Sequence, residues 1–181
     1  MSDVCSLATL SGCLGTLREP PRRPTRRGIR PPGIVLHHST GRTTATVAEI
    51  RAEHEHRRNF CDIGYHWVVR EYEPGLWRAE PGRPEGYVGA HAPGRNDWLG
   101  VCVFGDYEAN ECPAPALEAL VGCLSDLCDR YEINPEKIRP HKETGCQRPD
   151  GTRGETDCPG QHLIDALPQL REQVSALLSN A

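Results

Sequence analysis

No apolar run in the chain approaches the roughly 18 residues that a membrane-spanning helix needs, so a membrane span is not expected. Residues 1–15, MSDVCSLATLSGCLG, have no basic residue and carry an acid at Asp3, and no solid apolar stretch follows them. Export by a simple signal peptide is therefore not expected; synthesis in the cytoplasm is, with later release or non-classical export if the target lies outside the cell. No pair of C-x2-C units occurs, which removes a zinc-finger role despite nine cysteines. No internal repeat is evident.

What is present suits one globular domain. The 181 residues are long enough to bury a core without help from a partner, with 37% hydrophobic and 25% charged residues and a mean hydropathy of -0.57. An odd number of cysteines cannot all pair among themselves, so most are read as free thiols or as a metal ligand. The net charge of -4 conceals a split. Residues 1–32 carry Arg18, Arg22, Arg23, Arg26, Arg27 and Arg30 against Asp3 and Glu19, a balance of +4, which leaves -8 on the remainder. Arginines interleaved with prolines make a poor helix or strand, so residues 1–32 are expected to form an extended or disordered arm, solvated or adhering to an anionic polymer. Residues 33–181 then form the domain. Its acidic balance argues against nucleic acid as the main partner.

From Gly33 the pattern alternates strand and helix signals, as an α/β domain requires. Ile34 to His37 reads as a short buried strand ending at paired histidines. Thr46 and Glu49 have capping-box spacing, which predicts a helix over 46–59. Tyr65 to Arg70 is rich in aromatic and β-branched residues and precedes Pro74-Gly75, so a hairpin with Leu76 to Ala79 is expected. Leu99 to Phe104 reads as a central strand. Leu117, Leu120, Val121, Leu124, Leu127, Cys128 and Tyr131 recur at helical steps within Ala114 to Tyr131, and Cys123 and Cys128 are assigned to packing there. A loop is expected from Lys142 to Asp157, and a last helical region over 159–178, interrupted or restarted at Pro168.

Of the eight histidines, His54, His56 and His162 lie in helices among charged neighbours and are read as solvated. His37 and His38 sit at a strand exit, where one side chain of the pair faces each side of the sheet. His141 follows Pro140 and Cys158 precedes Pro159, so both are loop residues able to converge with a strand-end imidazole. Two imidazoles and a thiolate suit tetrahedral zinc with one position left for water. The spacing by itself fits no short metal motif.

Seven segments carry more information together: Val35-Leu36-His37-His38-Ser39-Thr40, Asp62-Ile63-Gly64-Tyr65-His66, Gly82-Arg83-Pro84-Glu85, Val88-Gly89-Ala90-His91-Ala92, Gly100 to Asp106, Arg139-Pro140-His141-Lys142-Glu143 and Thr156-Asp157-Cys158-Pro159-Gly160. In this order they resemble the zinc-dependent N-acetylmuramoyl-L-alanine amidases, which include phage T7-lysozyme-like endolysins and the peptidoglycan recognition proteins. The resemblance covers roughly residues 33–174. It implies a single domain with a central mixed β-sheet flanked by helices, a Zn2+ cofactor, and peptidoglycan or muropeptide as partner. It also implies that His37, His141 and Cys158 are the metal ligands, that His38 points elsewhere, and that Tyr65 is the catalytic tyrosine. Thr156 joins Tyr65 in the implied catalytic set, at a position that is lysine in phage-type members and threonine in many recognition-protein amidases, where it can add a hydrogen bond but no formal charge. His91 resembles a position lining the substrate groove, with a structural hydrogen bond as its competing role; Arg83, Glu85 and Asn96 coincide with the phage-type pattern as groove contacts or loop anchors. His66 is expected to face away from Tyr65, either supporting the site from behind or packed in the core.

The activity this implies is hydrolysis of the amide between the lactyl group of N-acetylmuramic acid and L-alanine. Binding without cleavage and a cytosolic muropeptide-recycling role are the alternatives. The complete ligand set favours catalysis over binding, since non-cutting recognition proteins typically lack the cysteine; the recycling branch generally has aspartate there. One departure stands out: the stretch between His141 and Cys158 is longer than usual and contains Cys146, a thiol able to compete for zinc or to shape a substrate-facing loop. Oligomeric state and the third residue of the stem peptide are left open by the sequence.

Overall fold

The computed structural model describes residues 30–144, 146–147 and 153–180. The expected basic arm falls almost entirely outside the described residues, as does the side chain of Cys146. No helix among the described residues is long and apolar enough to cross a membrane.

Strands β1 (Ile34–His38), β2 (Trp67–Glu73), β3 (Leu76–Pro81), β4 (Leu99–Val103) and β5 (Ile138–Pro140) form one sheet in the order β3-β2-β4-β1-β5. The continuous apolar runs of β1 and β4 are buried at every position, as interior parallel strands covered on both faces must be. β1 runs parallel to β4 and β5, and β2 runs parallel to β4. β3 returns antiparallel to β2 through the turn at Gly75, whose φ of 77° lies in the left-handed region that glycine tolerates. The expected hairpin is present, although β2 starts two residues later than predicted and leaves Tyr65 just ahead of the strand.

Helix α1 (Val47–Arg58) starts with the predicted capping box: the Glu49 amide donates to Thr46 Oγ1 while the Glu49 carboxylate accepts from the Thr46 amide. Helix α2 (Ala114–Tyr131) matches its expected bounds and buries Leu120, Leu124 and Leu127, each contributing about 1.5–3 kcal/mol. A short helix α3 (His141–Thr144) and a two-stranded ribbon of β6 (Cys146–Gln147) and β7 (Arg153–Gly154) occupy the segment expected to be loop. Helix α4 (Gln161–Ser179) runs unbroken through Pro168, contrary to the expected interruption. Pro168 lies on the exposed face, while Leu163, Leu167, Leu170 and Val174 are buried on either side of it. That packing outweighs the roughly 3 kcal/mol a proline costs inside a helix.

The alternation of strand side chains divides the core in two. Ile34 and Leu36 of β1, with Leu99, Val101 and Val103 of β4, meet α2 and α4. Cys102, Val68 and Phe104 meet Ile63, Tyr65 and the Val47 and Ile50 side chains of α1 on the opposite face. His37 is the register partner of Cys102 and therefore shares that second face.

Glu85 pins the long connection between β3 and β4 to the sheet and to α2. Its carboxylate accepts from Trp67 Nε1 at 2.5 Å, from Arg130 at 2.8 and 3.0 Å, and from the Tyr131 hydroxyl at 2.5 Å. Burial by itself would raise this acid, but the hydrogen bonds from Arg130, Tyr131 and Trp67 override it and hold the carboxyl down to about 2. A folded value below the unfolded one places the stabilisation above about pH 4.5, and it drains away as pH falls from there toward 2. Urea unfolding of Glu85→Gln should show a loss of roughly 2–3 kcal/mol at pH 7 that narrows steadily toward pH 3; a pH-independent difference would contradict this account.

Candidate functional site

The site forms at the carboxyl ends of adjacent parallel strands, where open α/β sheets present their functional side chains. β1 delivers His37 and β5 leads directly into His141 at the start of α3. Cys158 arrives from the segment before α4 and is tied down locally. The Lys142 amide donates to the Cys158 carbonyl at 2.7 Å, and Lys142 Nζ reaches Asp157 at 3.2 Å. The Cys158 amide donates to Thr156 Oγ1 at 3.2 Å, and the His38 amide donates to Cys158 Sγ at 3.4 Å. Gly160, at φ 89°, lets the chain turn into α4 against residues 107–108; a Cβ there would lie 2.3 Å from the Tyr107 carbonyl carbon.

His37, His141 and Cys158 each offer one ligand atom, all within 4.8 Å of one another. His37 Nδ1 is 3.5 Å from Cys158 Sγ. Zinc bonded at about 2.0 Å to nitrogen and 2.3 Å to sulfur in a tetrahedron would set those two atoms about 3.5 Å apart. His141 is buried, and its Nε2 has no hydrogen-bond partner among the described residues. An orphaned buried nitrogen beside a second imidazole and a thiol is the environment a borderline-soft dication satisfies, so these residues fit zinc.

The electrostatics agree. Burial, reinforced by the neighbouring imidazoles, pushes His37 well below its ordinary value, and burial takes His141 down to about 4. Both rings are therefore neutral near pH 7, the form that ligates. Burial pushes the Cys158 thiol up to about 12, opposed by the His38 amide, so the sulfur keeps its proton until a cation displaces it.

The remaining side chains singled out in the sequence sort clearly. His38 faces the other side of the sheet, where its Nδ1 accepts from the Tyr107 amide at 3.1 Å. The Tyr65 ring lies 5.1 Å from the His37 ring and packs against the cluster that holds Cys102. Burial raises that phenol well above its usual range. Thr156 braces the Cys158 loop through the hydrogen bond already given. His66 is fully buried: its Nδ1 accepts from the Gly100 amide at 2.8 Å, and its Nε2 lies 3.0 Å from the Tyr87 carbonyl oxygen. Arg83 is buried and donates to the carbonyls of Ile63, Val88 and Asp62. Asn96 Oδ1 accepts from the amides of His91 and Ala92, both at 2.8 Å. His91 is buried, with its Nδ1 3.0 Å from His37 Nε2.

One reading is corrected. His54 is not solvated: it is 5% exposed, accepts from the Gly64 amide at 2.9 Å, and packs with its ring 5.4 Å from the tilted Tyr65 ring. Val47, Ile50 and His54 share one helical stripe of α1, and that spacing was the signal for an inward-facing imidazole. His56 is exposed, as expected.

A mostly parallel sheet carrying a two-imidazole, one-thiol cluster at its strand ends is an arrangement suited to a metal-dependent hydrolase. The chain belongs to the N-acetylmuramoyl-L-alanine amidase family, which matches residues 27–161. The endolysin of Escherichia phage T7 is 33% identical over 119 residues, covering 61% of this chain and 74% of that protein. Peptidoglycan recognition protein 4 of Mus musculus is 28% identical over 113 residues, covering 60% of this chain and 28% of that longer protein. Among solved structures, the N-acetylmuramoyl-L-alanine amidase LysC from Clostridium intestinale URNW superimposes with a TM-score of 0.62 at 26% identity, covering 83% of this chain and 86% of that one. Family and cluster together support a zinc-dependent amidase function.

Proposed function

We propose that this protein hydrolyses the amide bond between the lactyl group of N-acetylmuramic acid and L-alanine in peptidoglycan stem peptides. The observation that carries the reading is the convergence of His37, His141 and Cys158 in a chain of this family. Zinc, when bound there, supplies a Lewis acid and lowers the pKa of water toward neutrality. Water's oxygen ends on the lactyl carboxyl, the C–N bond breaks, and a proton passes to the alanine amine.

The chain's own residues do the positioning. His37 and His141 present neutral nitrogens, and Cys158 offers the third donor from a loop braced by Thr156. Thr156 brings no charge, so whatever the chain's own side chains add to the zinc in stabilising an oxyanion comes from neutral donors. Tyr65, whose ring lies 5.1 Å from that of His37, is such a donor: its raised phenol retains its proton throughout the neutral range and can give a hydrogen bond to oxygen as negative charge develops. The same hydroxyl is the first candidate to protonate the leaving amine.

The test combines metal analysis with digestion of purified sacculi. About one zinc per chain and new L-alanine amino termini are expected. Bound zinc and bound peptidoglycan without new termini would replace this reading with recognition alone. Cleavage confined to small anhydro-muropeptides would replace it with a recycling role.

A further inference from the structure

His91 lies beside the metal cluster without belonging to it, and its ring packs closely against two glycines. A Cβ at Gly89 would approach His91 Cδ2 to 2.3 Å, and one at Gly100 would approach it to 2.5 Å, so the two glycines leave a slot that the flat imidazole fills. Its backbone amide is fixed by Asn96 Oδ1 at 2.8 Å. Both ring nitrogens are engaged: Nε2 is 3.2 Å from the Trp98 carbonyl oxygen, and Nδ1 is 3.0 Å from His37 Nε2. The Trp98 carbonyl is itself immobilised, because the next residue, Leu99, enters β4 by donating its amide to the Gly33 carbonyl at 3.0 Å.

We infer that His91 is a positioning residue that locks His37 in the tautomer able to bind a metal, through a relay that begins at the Trp98 main-chain carbonyl. A carbonyl oxygen only accepts, so His91 Nε2 carries the proton. With one proton on a neutral ring, His91 Nδ1 is bare and must accept. His37 Nε2 is then the donor, which leaves His37 Nδ1 with a free lone pair. That atom is the one 3.5 Å from Cys158 Sγ, inside the ligand cluster. The opposite tautomer of His37 would set an N–H against the ion and a bare nitrogen against a bare nitrogen. Ligating histidines generally have their other nitrogen anchored by a carboxylate, a carbonyl or water; here a second imidazole transmits the anchor from the backbone just ahead of strand β4 to strand β1. A proton held on His37 Nε2 toward an acceptor also makes Nδ1 a better donor to metal.

The inference rests on the metal site, and its test separates the two. The full chain is compared with His91→Phe, a flat ring without nitrogens, and with His91→Gln, whose oxygen can accept from His37 and whose amide can donate to Trp98. Zinc dissociation constants are measured by competition with a chromophoric chelator, thermal unfolding is followed on the chelator-stripped proteins, and the His37 ring nitrogens are read by 15N NMR in the stripped parent. The relay requires His37 to be protonated at Nε2 and bare at Nδ1 in the parent. It also requires zinc binding weakened about 10- to 100-fold in His91→Phe and largely recovered in His91→Gln. A parent that binds no zinc overturns the metal site itself. A His37 proton on Nδ1, unchanged zinc affinity in His91→Phe, or equal weakening in both variants with equally lowered unfolding temperatures overturns the relay and leaves the metal site standing. Should His91→Phe fail to fold, the parent's nitrogen spectrum and His91→Gln decide the matter.

Discussion

Cys158→Ala should reduce the zinc content from about one ion per chain to nearly none and lower amidase turnover by a thousandfold or more. The size of the effect follows from the site's composition. Removing the sulfur leaves two neutral imidazoles, one of them with a buried nitrogen that has no partner among the described residues. Two nitrogens alone do not close a zinc site that is to hold only one open position. The same substitution strips the His38 amide of its acceptor, at a cost of about 1–3 kcal/mol that would blur a stability measurement. Cys158→Ser separates the two contributions, because the hydroxyl can still accept from His38 while remaining a poor zinc ligand. Its metal-free unfolding temperature should match the parent more closely than that of the alanine variant, with zinc and turnover lost in both. Chelator should lower the unfolding temperature of the parent and leave both variants unmoved. Zinc retained in either variant, measured on dialysed protein, removes Cys158 from the ligand set.

Tyr65→Phe is expected to keep its zinc and lose activity, the reverse pairing of effects. The phenylalanine ring retains the contact 5.1 Å from His37 and the packing against Ile63, Val68 and Cys102. What disappears is one hydroxyl, and removal of a single donor to a developing oxyanion lowers kcat by about 10²–10³. KM should move little, since the hydrogen bond is made to charge that exists only in the transition state. Burial raises the phenol well above its ordinary value, so the parent should show no loss of activity from Tyr65 ionisation up to about pH 10. Turnover equal to the parent's, at full zinc occupancy, would exclude Tyr65 from the chemistry and leave it as a wall of the site.

Several features of this protein were readable in one dimension because their causes are local. The apolar runs 34–36 and 99–103 are uninterrupted, and such runs identify strands buried on both faces. Thr46 and Glu49 fixed the start of α1 through bonds that span three residues. The choice of His37 over His38 came from the resemblance; the two-residue period of a strand required only that the two face opposite sides of the sheet. Pro168 misled because its effect on a helix depends on which side of that helix is buried, and the buried residues of α4 flank it. His54 misled because its charged neighbours in sequence point away from it in space, whereas Ile50, four residues before it, shares its inward face.

The sequence by itself determined the domain's class, most element boundaries, the ligand types and, through seven short segments in a fixed order, the family. The tertiary structure alone decided that His37 and Cys158, 121 positions apart, come within 3.5 Å, and that His91, 54 positions from His37, meets its other nitrogen. The physical reason is that parallel pairing of β1 with β4 and β5 brings distant strand ends to one edge of the sheet. No local propensity in the chain encodes which side chains will face one another there.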